Sequence, residues 1–327
     1  MRFLLRRLIF YVTTIWVAIT ANFFIPRAMP GNAVEAMIAK FPSLQPSAYA
    51  ELEAAFGVGH GGSLAHQYWA YLTDLAHGNL GVDVSQYPAH VSTIMAGAIP
   101  WTIILVGTAT VLAVVIGTLL GIIAAWQRGG WFDQLLPGFA FFQAVPYFFL
   151  ALIILDIFAL RLHWFPEVGA YAGTLLPGWH WDFVISAVYH SILPALTIVL
   201  TSMAGWMLQM RNMMITTIAE DYVLTAQAKG LSTRRVIFQY AARNAILPNL
   251  AAFALALGFI VSGALVMEVV FSYPGIGLLL FNAVTSDDFP MVQAIFLFVS
   301  IAVLSANLLA DVVYIICDPR TRTRAAL

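Results

Sequence analysis

Charge is what this chain has least of. Of its 327 residues only 9% are Asp, Glu, Lys or Arg, while 61% are hydrophobic. Ordinary globular domains carry about 25% charged residues. A soluble fold could not cover that much apolar surface, so lipid must be the solvent for most of the chain. Cysteine is nearly absent: Cys317 stands alone, which excludes an internal disulfide and a cysteine metal cluster. The histidines at 60, 66, 77, 90, 163, 180 and 190 form no HExxH and no other close ligand pair. No GxxxxGKS/T loop or other nucleotide signature occurs, so the chain is not expected to hydrolyse ATP itself. No nucleophile–base pair supports an intramembrane enzyme.

What is abundant is long apolar sequence. A helix needs about 20 apolar residues to cross the hydrocarbon core. Six stretches qualify, near 8–29, 97–126, 134–160, 186–210, 249–271 and 291–316. The runs are continuous, as in WTIILVGTATVLAVVIGTLLGIIAA, and lack the short alternating strands of a spanning barrel. Helices are therefore expected. With the N-terminus cytoplasmic, Arg2, Arg6, Arg7, Arg128, Arg211, Lys229, Arg234, Arg235, Arg243, Arg320, Arg322 and Arg324 all lie inside. Only Arg27, Lys40 and Arg161 lie outside. That asymmetry favours both termini inside and an even number of spans. The first span begins like a signal peptide, with RFLLRR, but its apolar run from Leu8 past Phe24 exceeds the usual core of about 7–15 residues. It is expected to remain as an uncleaved span.

The outside segment 30–96 is the sizeable polar piece. PSAYAELEAAFG reads as a short helix, with Ser47 as cap and Gly57 as stop. A second is expected over His66–Ala76, with Gln67, Tyr68, Tyr71 and Leu72 on an amphipathic surface. The segment is expected to cap the membrane part; the plainer alternative is a connector.

Within the spans, Asp156, Glu268 and Asp311 are expensive to bury and are candidate functional groups. The structural reading, a carboxylate bonded to a neighbouring helix, comes first for Asp156 and Asp311 and stands level with the functional one for Glu268. For Glu268 the functional reading is an outer gate; for Asp311 it is helix packing near the inner face. Gly117 and Gly121 form a GxxxG that favours close helix contact, in this bundle or with another chain. Met207, Met210 and Met214 recur at helical spacing, which reads first as packing and second as a pathway lining. Pro146 and Pro194 are expected to kink spans three and four. Gln143 and Pro146 lie where a gated route would pass. Tyr273-Pro274-Gly275 reads as a tight outer turn, and His190 as a bonded histidine.

The segment Glu220–Pro248, EDYVLTAQAKGLSTRRVIFQYAARNAILP, is a polar island between two apolar runs. It has helix-forming composition to Lys229, a breaker at Gly230, and a second helical run closed by Pro248. A structured basic inner loop of this kind points to a protein-docking surface; the plain reading of its arginines is the inside charge bias.

That island resembles the cytoplasmic-loop signature of permease subunits in ATP-binding-cassette importers, and more closely the dipeptide, oligopeptide and nickel permease group. The general signature has an EAA triplet six residues before a glycine. Here Gly230 takes the glycine position and Leu224, Thr225, Ala226 the triplet, so only the last alanine matches. The Gly230–Pro248 spacing is also longer than in the sugar-importer form. Both departures are what the peptide group looks like. Further matches follow in order: RFLLRRLIFYV, GNLGVDVSQYPAHVSTIMAGAIPWTIIL, HSILPALTIVL, VMEVVFSYPGIGLLLFNAVTSDDFPMVQAI and NLLADVVYIICDPRTR. The resemblance thus covers nearly the whole chain.

The resemblance implies an all-α, six-transmembrane-helix type I importer permease in a prokaryotic inner membrane, with residues 1–327 as one permease domain. It implies a coupling loop at about 211–247, in which Asp221, Tyr222, Thr225, Ala226, Lys229, Gly230, Arg234 and Arg235 meet an ATPase. Glu268, Pro146, Gln143 and Met207 are its gate or pathway candidates. No cofactor is expected in this chain; ATP and Mg belong to two partner ATPase subunits or domains. A second, related permease, an extracytoplasmic substrate-binding protein and membrane lipid complete the partners, with no nucleic acid. Cargo stays open between di- or oligopeptide, oligosaccharide and a nickel complex. An ion-gradient-driven secondary transporter is the competing class, although it would not need the long structured inner loop.

Overall fold

The computed structural model describes residues 2–28, 63–260 and 265–317, with most of their side chains. The regular elements there are helices, beside one isolated antiparallel bridge, Val82 to His90. Three described helices are long and apolar enough to cross a membrane: Val91–Trp126, Trp181–Ile218 and Phe289–Leu308. A fourth span results if the bent pair Trp131–Ala144 and Tyr147–Arg161 is one crossing. The first predicted span falls on a 27-residue helix, Arg2–Ala28. The fifth falls on Leu247–Phe259 and Leu265–Val270, with 261–264 outside the described residues. The helix expected at Ser47–Gly57 also lies outside them.

The chain divides into two compact units. One comprises Met1–Thr102 and Pro274–Ser305. In it the predicted outer helix is present as Leu64–Ala76. Its Tyr68 and Tyr71 rings lie against Phe23 of the first helix at 5.1 and 5.6 Å. Tyr68 Oη shares a 2.7 Å hydrogen bond with Thr20 Oγ1, and Asn22 Nδ2 donates to Gln293 O at 2.7 Å. The expected amphipathic surface is thus used against the first span. Val91, Met95 and Ala98 pack with Ile276 and Ala283 of the Ile276–Thr285 helix and with Met291 and Ile295. Ile276 N donates to Thr102 Oγ1 at 2.8 Å.

An acid pair lies inside this unit. Asp83 and Asp288 are both buried, at 3% and 0% exposure. Asp288 Oδ2 accepts from Val84 N at 2.7 Å and Oδ1 from Met291 N at 3.1 Å. The two carboxyls are also hydrogen-bonded to each other. Burial first, and the Asp83 charge with it, push the Asp288 pKa up to about 7. Two carboxylates this close resist ionising together, so the pair retains a proton well above the ordinary carboxylate range.

The other unit comprises Ile103–Tyr273 and Ala306–Leu327. Its organising contact is the GxxxG. A Cβ on Gly117 would stand 2.5 Å from Met203 O, and one on Gly121 2.5 Å from Met207 O. Only glycine lets these two backbones approach so closely. The motif therefore serves contact inside the chain, between the second and fourth predicted spans. Met207, Met210 and Met214 fill the seam and are fully buried. Asn249 Nδ2 donates to Thr118 Oγ1 at 3.1 Å and Trp206 O at 3.3 Å, joining the start of the fifth span to both.

Two boundaries differ from expectation. The fourth helix runs through Ile218, so 211–218 extends that span and is not loop. At the end of apolar cover a helix with Met210 and Met214 still buried has no reason to stop. Pro146 does break the third span: helices on either side of Val145–Pro146 are bent by 97°. Pro194 instead lies inside a helix assigned without interruption from Trp181 to Ile218.

Candidate functional site

The helix–turn at Asp221–Arg235 is built from a two-sided helix. Asp221–Ala228 buries Val223 and Ala226 and exposes Asp221, Tyr222, Leu224, Thr225 and Gln227. Its apolar side joins a cluster with Ile122 and Ala125 from the second span, Met210 and Met214 from the fourth, and Val236, Ala241, Ala242 and Ala245 beyond the turn. Fully burying a side chain such as Val223 contributes about 1.5–3 kcal/mol, so this short helix is held by packing more than by its own propensity. The helix is thereby fixed to the ends of two spans.

The turn is a Schellman closure. Leu231 N donates to Ala226 O at 3.4 Å and Gly230 N to Gln227 O at 2.9 Å, with Gly230 at φ +73°. Leu231 packs into the same apolar cluster. A left-handed residue is needed here, and glycine supplies it without the penalty of a Cβ. Beyond it, Thr233–Arg235 restarts the helix. Asn244 Nδ2 donates to Tyr222 Oη at 2.8 Å across the two arms, and Arg235 Nε donates to Gln239 Oε1 at 3.0 Å.

The structure brings together most of the sequence-predicted residues. Asp221, Tyr222, Thr225, Lys229, Gly230, Arg234 and Arg235 share the solvent side of one helix–turn–helix. Ala226 does not: it is 2% exposed and faces its own core. Ala228 is the exposed small residue on this helix.

An ion pair that sequence reading missed braces the turn at Gly129–Asp133. Arg211 Nε and Nη2 donate to Asp133 Oδ1 and Oδ2 at 2.6 and 3.0 Å. Gly129 N donates to Asp133 Oδ2 at 3.0 Å. The Arg211 bonds first, then the Gly129 bond, hold the Asp133 carboxyl below its ordinary pKa. The signal available was one acid, Asp133, at the edge of the third apolar run and one arginine closing the fourth; their separation of 78 positions hid the pair.

The pathway candidates scatter. Gln143 and Pro146 line a cavity of about 360 Å³ at the break in the third span, with Tyr147, Ile198, Thr201, Ser202 and Met267. Glu268 is fully buried in Leu265–Val270. Met207 is buried against Ala124 and Leu136, away from that cavity lining. Asp156 pairs with Arg161 of its own helix at 2.8 Å, and His190 Nδ1 bonds Ser186 O at 2.7 Å. The Asp311 side chain lies outside the described residues. No group of three or more His, Cys, Asp or Glu able to hold a metal occurs among the described residues.

Residues 117–323 match the family described as binding-protein-dependent transport system inner membrane component. The chain is 33% identical over 324 residues to a putative peptide permease protein of Brucella suis, covering 98% of this chain and 99% of that one. It is 34% identical over 339 residues to the di/tripeptide transport system permease protein DppB of Pseudomonas aeruginosa, covering 98% of each. It is 32% identical over 323 residues to the oligopeptide transport system permease protein OppB of Salmonella typhimurium, covering 98% and 99%.

Proposed function

The chain belongs to the inner-membrane components of binding-protein-dependent transport systems, and from that premise we propose that it is a peptide-importer permease. It forms half of a translocation pathway for di- or oligopeptides and transmits ATPase motion through the helix–turn at Asp221–Arg235. Membership implies ATPase and binding-protein partners. The finer reading adds two ATPase subunits or domains on the inner face, a second and different permease, and six spans with both termini inside. Residues 1–327 then act as one permease domain, with the outer segment 30–96 receiving the binding protein.

The observation that carries the coupling role is the two-sidedness of the helix–turn. Val223 and Ala226 tie it to the second and fourth spans while Asp221, Thr225, Lys229, Arg234 and Arg235 stay exposed. A lever must be rigidly joined to what it moves and free on the side that is pushed. The net basic exposed face suits acidic groups on an ATPase. Glu268 and Gln143 are the pathway residues of this reading. Pro146 permits the bend beside them, and Met207 supports the wall from behind.

The test is uptake and ATP hydrolysis by the full transporter carrying Gly230→Pro. The substitution forbids the positive φ and removes the Gly230 N–H bond to Gln227. Loss of coupling, with the chain still inserted in the membrane, supports the reading. Uptake that follows a proton or sodium gradient and needs no ATPase overturns it. Selective uptake of an oligosaccharide or a nickel complex by the intact transporter would keep the architecture and replace the cargo.

A further inference from the structure

The cavity beside the bend at Val145–Pro146 has a mixed lining. Val145, Pro146, Ile198 and Met267 give it apolar wall, and Gln143, Tyr147, Thr201 and Ser202 give it polar wall. Thr201 Oγ1 donates to Thr197 O at 2.9 Å and Ile198 O at 3.1 Å, which leaves it only as an acceptor. The side chains of Gln143 and Ser202 make no hydrogen bond among the described residues. Polar groups at membrane depth face a bundle interior or a wet route, and are costly when left unpaired.

Gln143 is also positioned by a space made for it. Gly205 of the fourth helix lies beneath its amide; a Cβ there would stand 3.3 Å from Gln143 Nε2. The bend at Val145–Pro146 turns the chain away, so no following helical turn covers the amide. The result is one side-chain amide beside the Thr201 and Ser202 hydroxyls, with Tyr147, on the wall of a mixed polar and apolar recess. A volume of about 360 Å³ is at the lower end of sites that enclose a small ligand, roughly 300–1,000 Å³.

We propose that this recess is a transit subsite that takes a main-chain amide of the cargo peptide, with Gln143 as the positioning residue and Ser202 and Thr201 beside it. The inference rests on the peptide-permease reading. A peptide group presents one N–H donor and one carbonyl acceptor. Gln143 offers the complementary acceptor and donor on one planar group, and Ser202 can serve either way. The recess contains no charged side chain. It therefore reads the backbone common to all peptides and is indifferent to side-chain charge. Such a site gives a passing peptide a place to exchange water for protein hydrogen bonds without binding it tightly.

The experiment uses cells whose own copy of this chain is replaced by variants within the intact transporter. The probes are radiolabelled trialanine and trialanine methylated on both of its peptide nitrogens. Maximal uptake rates at saturating peptide are compared, with the amount of chain in the membrane measured alongside. Gln143→Leu is expected to lower the trialanine rate about ten-fold, the scale of one desolvated hydrogen-bonding group. The methylated probe has already lost the donor, so its rate should fall much less. Gly205→Ala, which displaces the Gln143 amide without removing it, should reproduce the same bias more weakly. Ser202→Ala supplies the comparison if either of the others fails to accumulate. Equal loss for both probes, or no loss, overturns the subsite while leaving the permease intact. Absence of trialanine uptake by the unaltered chain overturns the peptide reading itself, and the subsite with it.

Discussion

Replacing Asp288 by asparagine should flatten the pH dependence of stability in the unit that contains it. The Asp288 pKa is raised from 3.8 to about 7, first by burial and then by Asp83. An unfolded chain gives up this proton near 3.8, whereas the folded chain keeps it until about 7. Between those values the folded state binds more protons, so stability falls as pH rises, by up to about 1.4 kcal/mol per pH unit. Above pH 7 the full difference is present, about 4 kcal/mol against folding. The loss must be felt where the carboxyl is held, at Val84 N and Met291 N, which tie the 79–90 loop to the start of the last helix. Asparagine is neutral throughout, keeps one oxygen to accept from one of those two donors, and can donate its amide to Asp83. The assay is thermal unfolding of the purified chain in detergent at pH 5 and pH 8, with proteolysis within Asn79–His90 as a local probe. The unaltered chain should be less stable and more readily cut at pH 8, and Asp288→Asn should show little difference. Parallel pH curves for the two proteins would refute a shared proton in this pair.

Gly121→Leu should be strongly destabilising, by several kcal/mol, because Met207 O and Met210 Cβ already stand 2.5 and 2.8 Å from where its Cβ would lie; a melting temperature in detergent measures this. Gly230→Ala should be milder, costing about 1–2 kcal/mol, since nothing lies within 4 Å and only the left-handed backbone resists it. Coupled ATP hydrolysis should therefore survive Gly230→Ala and fail in Gly230→Pro. The Asp133 pKa is lowered, so its bond to Arg211 should stabilise the inner turn at neutral pH and weaken as pH falls through that lowered value. Asp133→Asn should remove this acid sensitivity, as followed by proteolysis near Gly129.

Membrane residence and helical class were legible in the sequence because they follow from sums and runs, which need no knowledge of contacts. The outer helix Leu64–Ala76 and the break at Pro146 were legible for a related reason: amphipathic spacing and a missing N–H are local. The inner helix–turn was readable as far as Gly230, whose place after Lys229 fits a left-handed stop. What stayed hidden was the direction each residue faces. Ala226 reads in sequence like a contact for a partner and lies in the chain's own core. Met207 reads first as packing and second as a pathway lining, and only the fold places it in the seam behind Gly117 and Gly121. The end of the fourth helix at Ile218 was hidden too, because burial of Met214 carries the helix past its apolar run.

Composition and apolar length by themselves determined that this chain is a helical membrane protein with a basic polar segment between apolar runs, since transfer of apolar groups from water depends on amount and only weakly on arrangement. Tertiary structure alone decided the rest. It set Asp133 against Arg211 and Asp83 against Asp288, pairs 78 and 205 positions apart. It laid Gln143 over Gly205 beside a cavity, and it chose which face of Asp221–Ala228 was left free. Hydrogen bonds, shared protons and close backbone contact act over a few ångströms, and only the folded chain fixes which residues come that near.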